Sequence, residues 1–172
     1  MSTRSHILME LEDGHYKGIY CHFDGYLTHN GAILLNHYSN RKKLDELLNL
    51  GDLRSLGSKI NPNPKKPHDH DHKQDDVCYA YGRDGHESNQ KPFYVTKDEM
   101  FYNNDFIDYF YVFTLKNEWK YYDYNHVNER DVKQDLKEIY EENVVDSDNF
   151  NADEIKQYQI FKKKQKQSDE EM

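Results

Sequence analysis

The chain has little with which to cross a membrane, bridge itself covalently or coat a nucleic acid. Only 35% of its 172 residues are apolar and mean hydropathy is −1.15. No stretch approaches the roughly 20 consecutive apolar residues of a membrane span. Two cysteines, Cys21 and Cys78, allow at most one disulfide, which a reducing cytosol disfavours. Residues 1–6 are polar and lack the apolar segment of a secretory signal, so a cytoplasmic location is expected. Positive charge is also short: 23 Lys+Arg face 32 Asp+Glu, for a net charge of −9. A general nucleic-acid-coating protein needs a basic face to neutralise phosphates, so no direct nucleic-acid binding is expected. A P-loop, a glycine-rich dinucleotide turn, a nucleophile elbow and a paired CxxC are all absent.

Aromatic rings are what the chain does have. Fifteen Tyr, eight Phe and one Trp make up 14% of it, and each ring can bury about 150–250 Å². That supply contradicts disorder, despite the low hydropathy. Alternation over residues 5–11 and 16–23, joined through Asp13-Gly14, predicts an opening β-hairpin. On its second strand Ile19, Cys21 and Phe23 face one way and Gly18, Tyr20 and His22 the other. The apolar run 32–38, and then Leu44, Leu47 and Leu48 at helical spacing, predict a helical layer. Residues 52–57 read as a short helical turn between glycines. Residues 61–76 hold three of the four prolines and no apolar residue, the composition of a mobile polar loop. Strand character returns at 77–81, 108–115 and 118–124, and Thr96 with Glu99 forms a capping box. The expected fold is α+β: about five strands, mostly antiparallel, with helices on one face.

From residue 125 the composition shifts. Residues 129–154 hold ten acids and three bases, a net of −7, with Val132, Leu136, Ile139 and Tyr140 as a narrow helical stripe. A second helix is predicted over 152–164. The domain reading is a core at 1–124 and an acidic helical extension at 125–172.

Several motifs occur in order: Ser2-Thr3-Arg4-Ser5-x-Ile7, then Gly18-Ile19-Tyr20-Cys21-His22-x-Asp24-Gly25-Tyr26, His37-Tyr38, and Leu50-Gly51-Asp52-Leu53-x-Ser55-Leu56-Gly57. His68-Asp69, Tyr81-x-Arg83-Asp84 and a closing hairpin with Tyr109, Tyr111 and Trp119 continue the series. Over about residues 1–124 the chain resembles a family of small uncharacterised proteins found in bacteriophages, plasmids and bacterial genomes. It departs where the family pattern has Arg-Asp-Arg-Gly, here Arg83-Asp84-Gly85-His86, and where it has Pro, here Leu27. The acidic extension has no counterpart in the pattern. The resemblance implies an accessory gene of a phage or mobile element acting in a host cytoplasm, and carries no activity across.

Four constellations bear chemistry, each set against a plain structural role. His68, His70 and His72 alternate with Asp69 and Asp71, so an extended segment would project three imidazoles to one side, a set suited to Zn²⁺ or Ni²⁺; a solvated loop is the alternative. Tyr20, His22 and Asp24 share one strand face, with Tyr26 just beyond, and a His beside a carboxylate can be a general base or hold a polar ligand. A bond from His22 to Asp24 that secures the turn is the alternative. Arg83-Asp84 lies between glycines, offering a planar fork to a carboxylate or phosphate, or merely a turn pair. Glu138, Glu141 and Glu142 on the extension present an acidic face to a partner, or simply a solvated one. The leading functional expectation is a non-catalytic phage-type accessory protein that binds and inhibits or redirects a host protein, with rings as anchors and charge for steering. A small-molecule or nucleotide binder or hydrolase built on Tyr20, His22, Asp24, Arg83 and Asp84 is the alternative. Metal binding through the histidine loop is the third.

Overall fold

The computed structural model describes residues 2–102, 104–124 and 128–171. Among them eight strands form one sheet. The opening hairpin is as the alternation predicts. β1 (Ser5–Glu10) pairs antiparallel with β2 (Tyr16–Cys21), from Ser5↔Cys21 to Glu10↔Tyr16. Gly14 at φ +89° makes the turn, a backbone state that glycine adopts without steric cost. A π-helical turn (Leu27–Gly31), α1 (Ala32–His37) and α2 (Arg41–Leu48) then cross to β3 (Leu53–Ser55), which runs parallel to β2. Asn40 caps α2 by accepting the Lys43 N–H at 3.0 Å. β4 (Tyr79–Ala80), β5 (Phe93–Val95), β6 (Tyr109–Phe113), β7 (Trp119–Asp123) and β8 (Arg130–Asp131) complete the sheet. Its order is β4-β3-β2-β1-β6-β7-β8, with β5 on β2.

The architecture is α+β and the pairing is mostly antiparallel, as expected; β1–β6 and β2–β3 are the parallel exceptions. The count of about five strands is too low. Residues 52–57, read as a helical turn, contain β3: the end of β2 takes them as a partner, with the His22 N–H on Leu53 O and the Phe23 N–H on Arg54 O, both at 3.0 Å. β5 and β8, three and two residues long, carry too little alternation to announce themselves.

All four helices pack on one face. Ile7, Ile19 and Tyr111 from the sheet meet Leu34, Leu47 and Leu136 there, each fully buried. The other face, with Leu8, Phe110 and Val112, is covered by residues 96–102 and 104–107 through Met100 and Ile107. The Thr96–Glu99 capping box is present, each backbone N–H bonded to the other side chain, but it opens a series of turns rather than a helix. Beyond residue 127, β8 adds a strand to β7, and Asp131 caps α3 (Val132–Glu142) through the Gln134 N–H at 2.9 Å. Val132, Leu136 and Tyr140 of α3 and Phe161 of α4 (Ala152–Glu171) enter the helix-side core. The boundary that composition draws at 124/125 is therefore not a boundary in the packing. No helix among the described residues is long and apolar enough to cross a membrane.

Candidate functional site

The face away from the helices carries polar groups at its open end. His6 of β1 stands opposite Tyr20 of β2 in register. On the far side of Tyr20, Asp52 accepts the Tyr20 N–H at 2.9 Å. These three side chains form the floor of a recess of about 480 Å³, walled by Phe93 and Val95 of β5 and by Glu99, Tyr102, Asn104 and Phe106 from the covering segment. Phe93 can lie across the floor because residue 18 is glycine: a Cβ there would sit 2.7 Å from its ring.

His6 is the unusual group. It is 6% exposed, packed between rings with centroids at 5.0 Å (Phe93), 5.4 Å (Phe110) and 6.3 Å (Tyr20). Its Nδ1 is buried without a hydrogen-bond partner. Burial pushes its pKa down to about 4, so the imidazole is neutral near pH 7. Burial also raises the pKa of Asp52, against the Tyr20 N–H that lowers it, and burial raises that of Tyr20. Leaving a buried polar atom unpaired costs about 1–3 kcal/mol, a cost that falls inside the ring cluster, beneath the surface of the recess.

The pH dependence follows. Between pH 6.5 and about 4 the unfolded chain takes up a proton at position 6 that the folded chain refuses, so stability is full above 6.5 and falls as pH drops. From pH 7 to pH 5 this group alone should remove about 2 kcal/mol, and His6→Phe should lose that share of the slope. Urea unfolding of both proteins at the two pH values reads it; equal slopes would refute the neutral buried imidazole.

A groove of about 510 Å³ between α1, α3 and α4 is comparable in size. Its Lys164 ammonium is already engaged by the Asn36 carbonyl, and Leu35, Ser39 and Phe161 line it without a buried unpartnered atom.

Comparison with family models, curated proteins and solved structures finds no match to this chain. The recess is therefore read from its own chemistry.

The residues singled out in the sequence scatter over four places. Tyr20 lines the recess, and its hydroxyl lies 2.6 Å from His22 Nδ1. His22 is thus bonded to Tyr20 rather than to Asp24. Asp24, at φ 58°, turns toward the π-helical turn, where its carboxylate is 3.9 Å from His29 Nε2. Tyr26 follows it: its hydroxyl accepts from Asn151 Nδ2 at 3.0 Å, and burial pushes its pKa up to about 12.

Arg83 and Asp84 lie elsewhere and are engaged structurally. The guanidinium donates to both Asp84 oxygens at 2.8 and 2.9 Å and to the carbonyls of Ile60 (2.7 Å) and Cys78 (2.9 Å). The three loop histidines do not share a side. His68 Nδ1 accepts the Gln74 N–H at 3.0 Å, so Nε2 donates to Cys78 O at 2.9 Å. His70 Nδ1 accepts from Arg54 at 2.7 Å, and His72 pairs with Asp69 at 2.9 Å. Among the described residues no three His, Cys, Asp or Glu side chains converge as a metal set. Glu138 bonds Gln134 at 3.0 Å, and Glu141 and Glu142 are exposed on the outer face of α3. The site residues that the sequence reading missed are His6, Asp52 and Phe93. For His6 the signal was available: hairpin register alone sets it opposite Tyr20.

Proposed function

We propose that this chain is a non-catalytic binding protein whose recess takes a small planar molecule of the nucleobase class. The observation that carries the reading is the recess itself, where His6, Tyr20 and Asp52 come together beside the rings of Phe93, Tyr102 and Phe106. Ligand sites of this size pair apolar and aromatic walls with a few polar groups. Phe93, Tyr102 and Phe106 offer faces for stacking, worth about 1–3 kcal/mol per base. His6, Asp52, Glu99 and Asn104 offer donors and acceptors to a base edge. Hydrolysis is not part of the proposal. Cys21 and Cys78 are buried, their thiol pKa values raised by burial, Cys21 to about 12, and the Arg83-Asp84 pair is engaged away from the recess.

Titration calorimetry of the full chain with adenosine, guanosine, cytidine and uridine tests the reading. One of the four is expected to bind, and Phe93→Ala to weaken it about tenfold, the lower part of the stacking range. Heats indistinguishable from dilution for all four would end it.

A second reading keeps the host-protein partner expected from the sequence. Tyr94, Tyr102 and Phe106 are exposed by 57%, 74% and 55%, and large exposed rings anchor interfaces. In that reading the protein acts in a host cytoplasm, and binding is lost when Tyr102 and Phe106 are both replaced by Ser. Retention of a co-purifying host protein by that double variant would count against it.

A further inference from the structure

The region beside the recess floor is cationic. Arg4 and His22 are the next residues along the chain beyond Ser5↔Cys21, the pair that ends the β1–β2 ladder. β3 pairs with β2 at Cys21↔Leu53, and beyond it the N–H groups of His22 and Phe23 bond Leu53 O and Arg54 O in succession. Cys21 and Leu53 enter the helix-side core; His22 is tied to the Tyr20 side by the Tyr20 hydroxyl, and Arg54 joins it over the Phe23 ring, which meets the His22 ring at 4.5 Å. His6, Tyr20 and Asp52 thus border His22, with the charges of Arg4 and Arg54 close to its imidazole. Tyr20 joins them, since it lines the recess while its hydroxyl bonds His22 Nδ1, and the nearby Arg4 charge lowers the Tyr20 pKa against the rise from burial.

The proton positions favour an anion. Burial keeps the Tyr20 phenol protonated, so it donates to Nδ1 of His22. The His22 pKa is held below the ordinary value by burial, then by Arg4 and Arg54. A neutral imidazole accepting at Nδ1 carries its proton on Nε2, where it is a donor. Arg54 is steadied by the rings of Phe23 and Tyr79, 5.5 and 5.7 Å from its guanidinium carbon, and gives one N–H to His70.

The arginines are few and the others are engaged. Arg41 donates to the carbonyls of Glu10 and Thr114, Arg83 to Asp84, and Arg130 lies 3.7 Å from Asp123. Among the described residues, neither Arg4 nor Arg54 has a carboxylate within ion-pair distance. Two guanidiniums without acidic partners thus lie near one imidazole in a chain of net charge −9, an arrangement that an anion would complete.

We propose that Arg4, His22 and Arg54 form a subsite for the phosphate of a nucleotide whose base occupies the recess. The proposal rests on the recess reading and names its ligand class. Guanidinium forks match phosphate oxygens in pairs.

The experiment compares the four nucleosides with their 5′-monophosphates, and inorganic phosphate alone, on the full chain. At low salt one monophosphate should bind at least about tenfold more tightly than its nucleoside, a gap that closes at high salt. Arg4→Gln with Arg54→Gln should abolish the gap and leave nucleoside affinity unchanged; Arg54→Gln alone should halve it on a logarithmic scale if the double variant does not fold. The His22 imidazole pKa, followed by NMR, should rise when the monophosphate binds. Equal affinity for nucleoside and monophosphate overturns the phosphate subsite and leaves the recess reading intact. Binding of inorganic phosphate as tightly as any monophosphate overturns the recess reading and the nucleotide with it. No binding by any probe overturns both.

Discussion

Asp84→Ala should cost the protein about 3–5 kcal/mol of folding stability, the range for removing one partner of a buried ion pair. The Asp84 side chain is 5% exposed. Its Oδ2 accepts the Ala80 N–H at 2.9 Å, and its two oxygens take the Arg83 fork. His68 Nε2 lies 3.4 Å away. Alanine would orphan a buried backbone donor and leave the guanidinium on two carbonyls, Ile60 O and Cys78 O. The loop from residue 61 to 76 is tied to the sheet through this knot, since His68 reaches Cys78 O beside Arg83. Asp84→Asn keeps one acceptor and should cost about half as much. Urea unfolding at pH 7 measures both. A loss below about 1 kcal/mol for Asp84→Ala would mean that the pair is held in reserve for a ligand, as the sequence alone allowed.

That pair shows where sequence reasoning runs out. Arg83-Asp84 between glycines looks like a presented recognition element, and nothing local says otherwise. The carbonyls that occupy the guanidinium belong to Ile60 and Cys78, and the bridge between Lys59 and Val77, with the Cys78 N–H on Lys59 O, brings them there. His68 is the same case: spacing of two suggests three imidazoles on one side, but a turn at Asp69, which accepts the N–H groups of Asp71 and His72, breaks the extended path. By contrast, the hairpin from Ser5 to Cys21 was legible because Asp-Gly and alternation are local. So were the faces of Tyr20 and His22. Asp52 and Arg54 join that face through pairing with the end of β2, a tertiary choice that overrides the local pattern of residues 52–57. The floor of the recess was thus half legible, from one hairpin, and its other half waited on β3 and β5.

Phe161→Ala should cost about 3–5 kcal/mol, and a chain ending at residue 150 should fail to unfold cooperatively. The acidity of the last third suggests a separate appendage, but acids and apolar groups there occupy opposite sides of the helices. Glu138, Glu141 and Glu142 face outward while Val132, Leu136 and Tyr140 repeat every four residues on the inner side. On α4, Phe161 is 4% exposed and meets Tyr140 edge-on at 5.1 Å. Gln157, 3% exposed, accepts from Asn36 Nδ2 with both its side-chain and backbone oxygens at 3.0 Å, and its side-chain oxygen lies 3.0 Å from His37 Nε2. Deleting α4 would therefore uncover the helix-side core and remove the partner of the Asn36 amide on α1, and the apolar area exposed to water carries most of the cost. Asn151 and Glu154 cap the start of α4 reciprocally, at 2.9 and 2.8 Å, so the helix is seated at a defined point rather than docked loosely. Circular dichroism and urea melts of the shortened chain check this. If residues 1–150 alone unfold with the wild-type midpoint, α4 is an appendage after all; if they do not, the outer carboxylates of α3 act only as the exposed side of the fold, and recognition falls to the opposite face, where His6 and Arg4 stand.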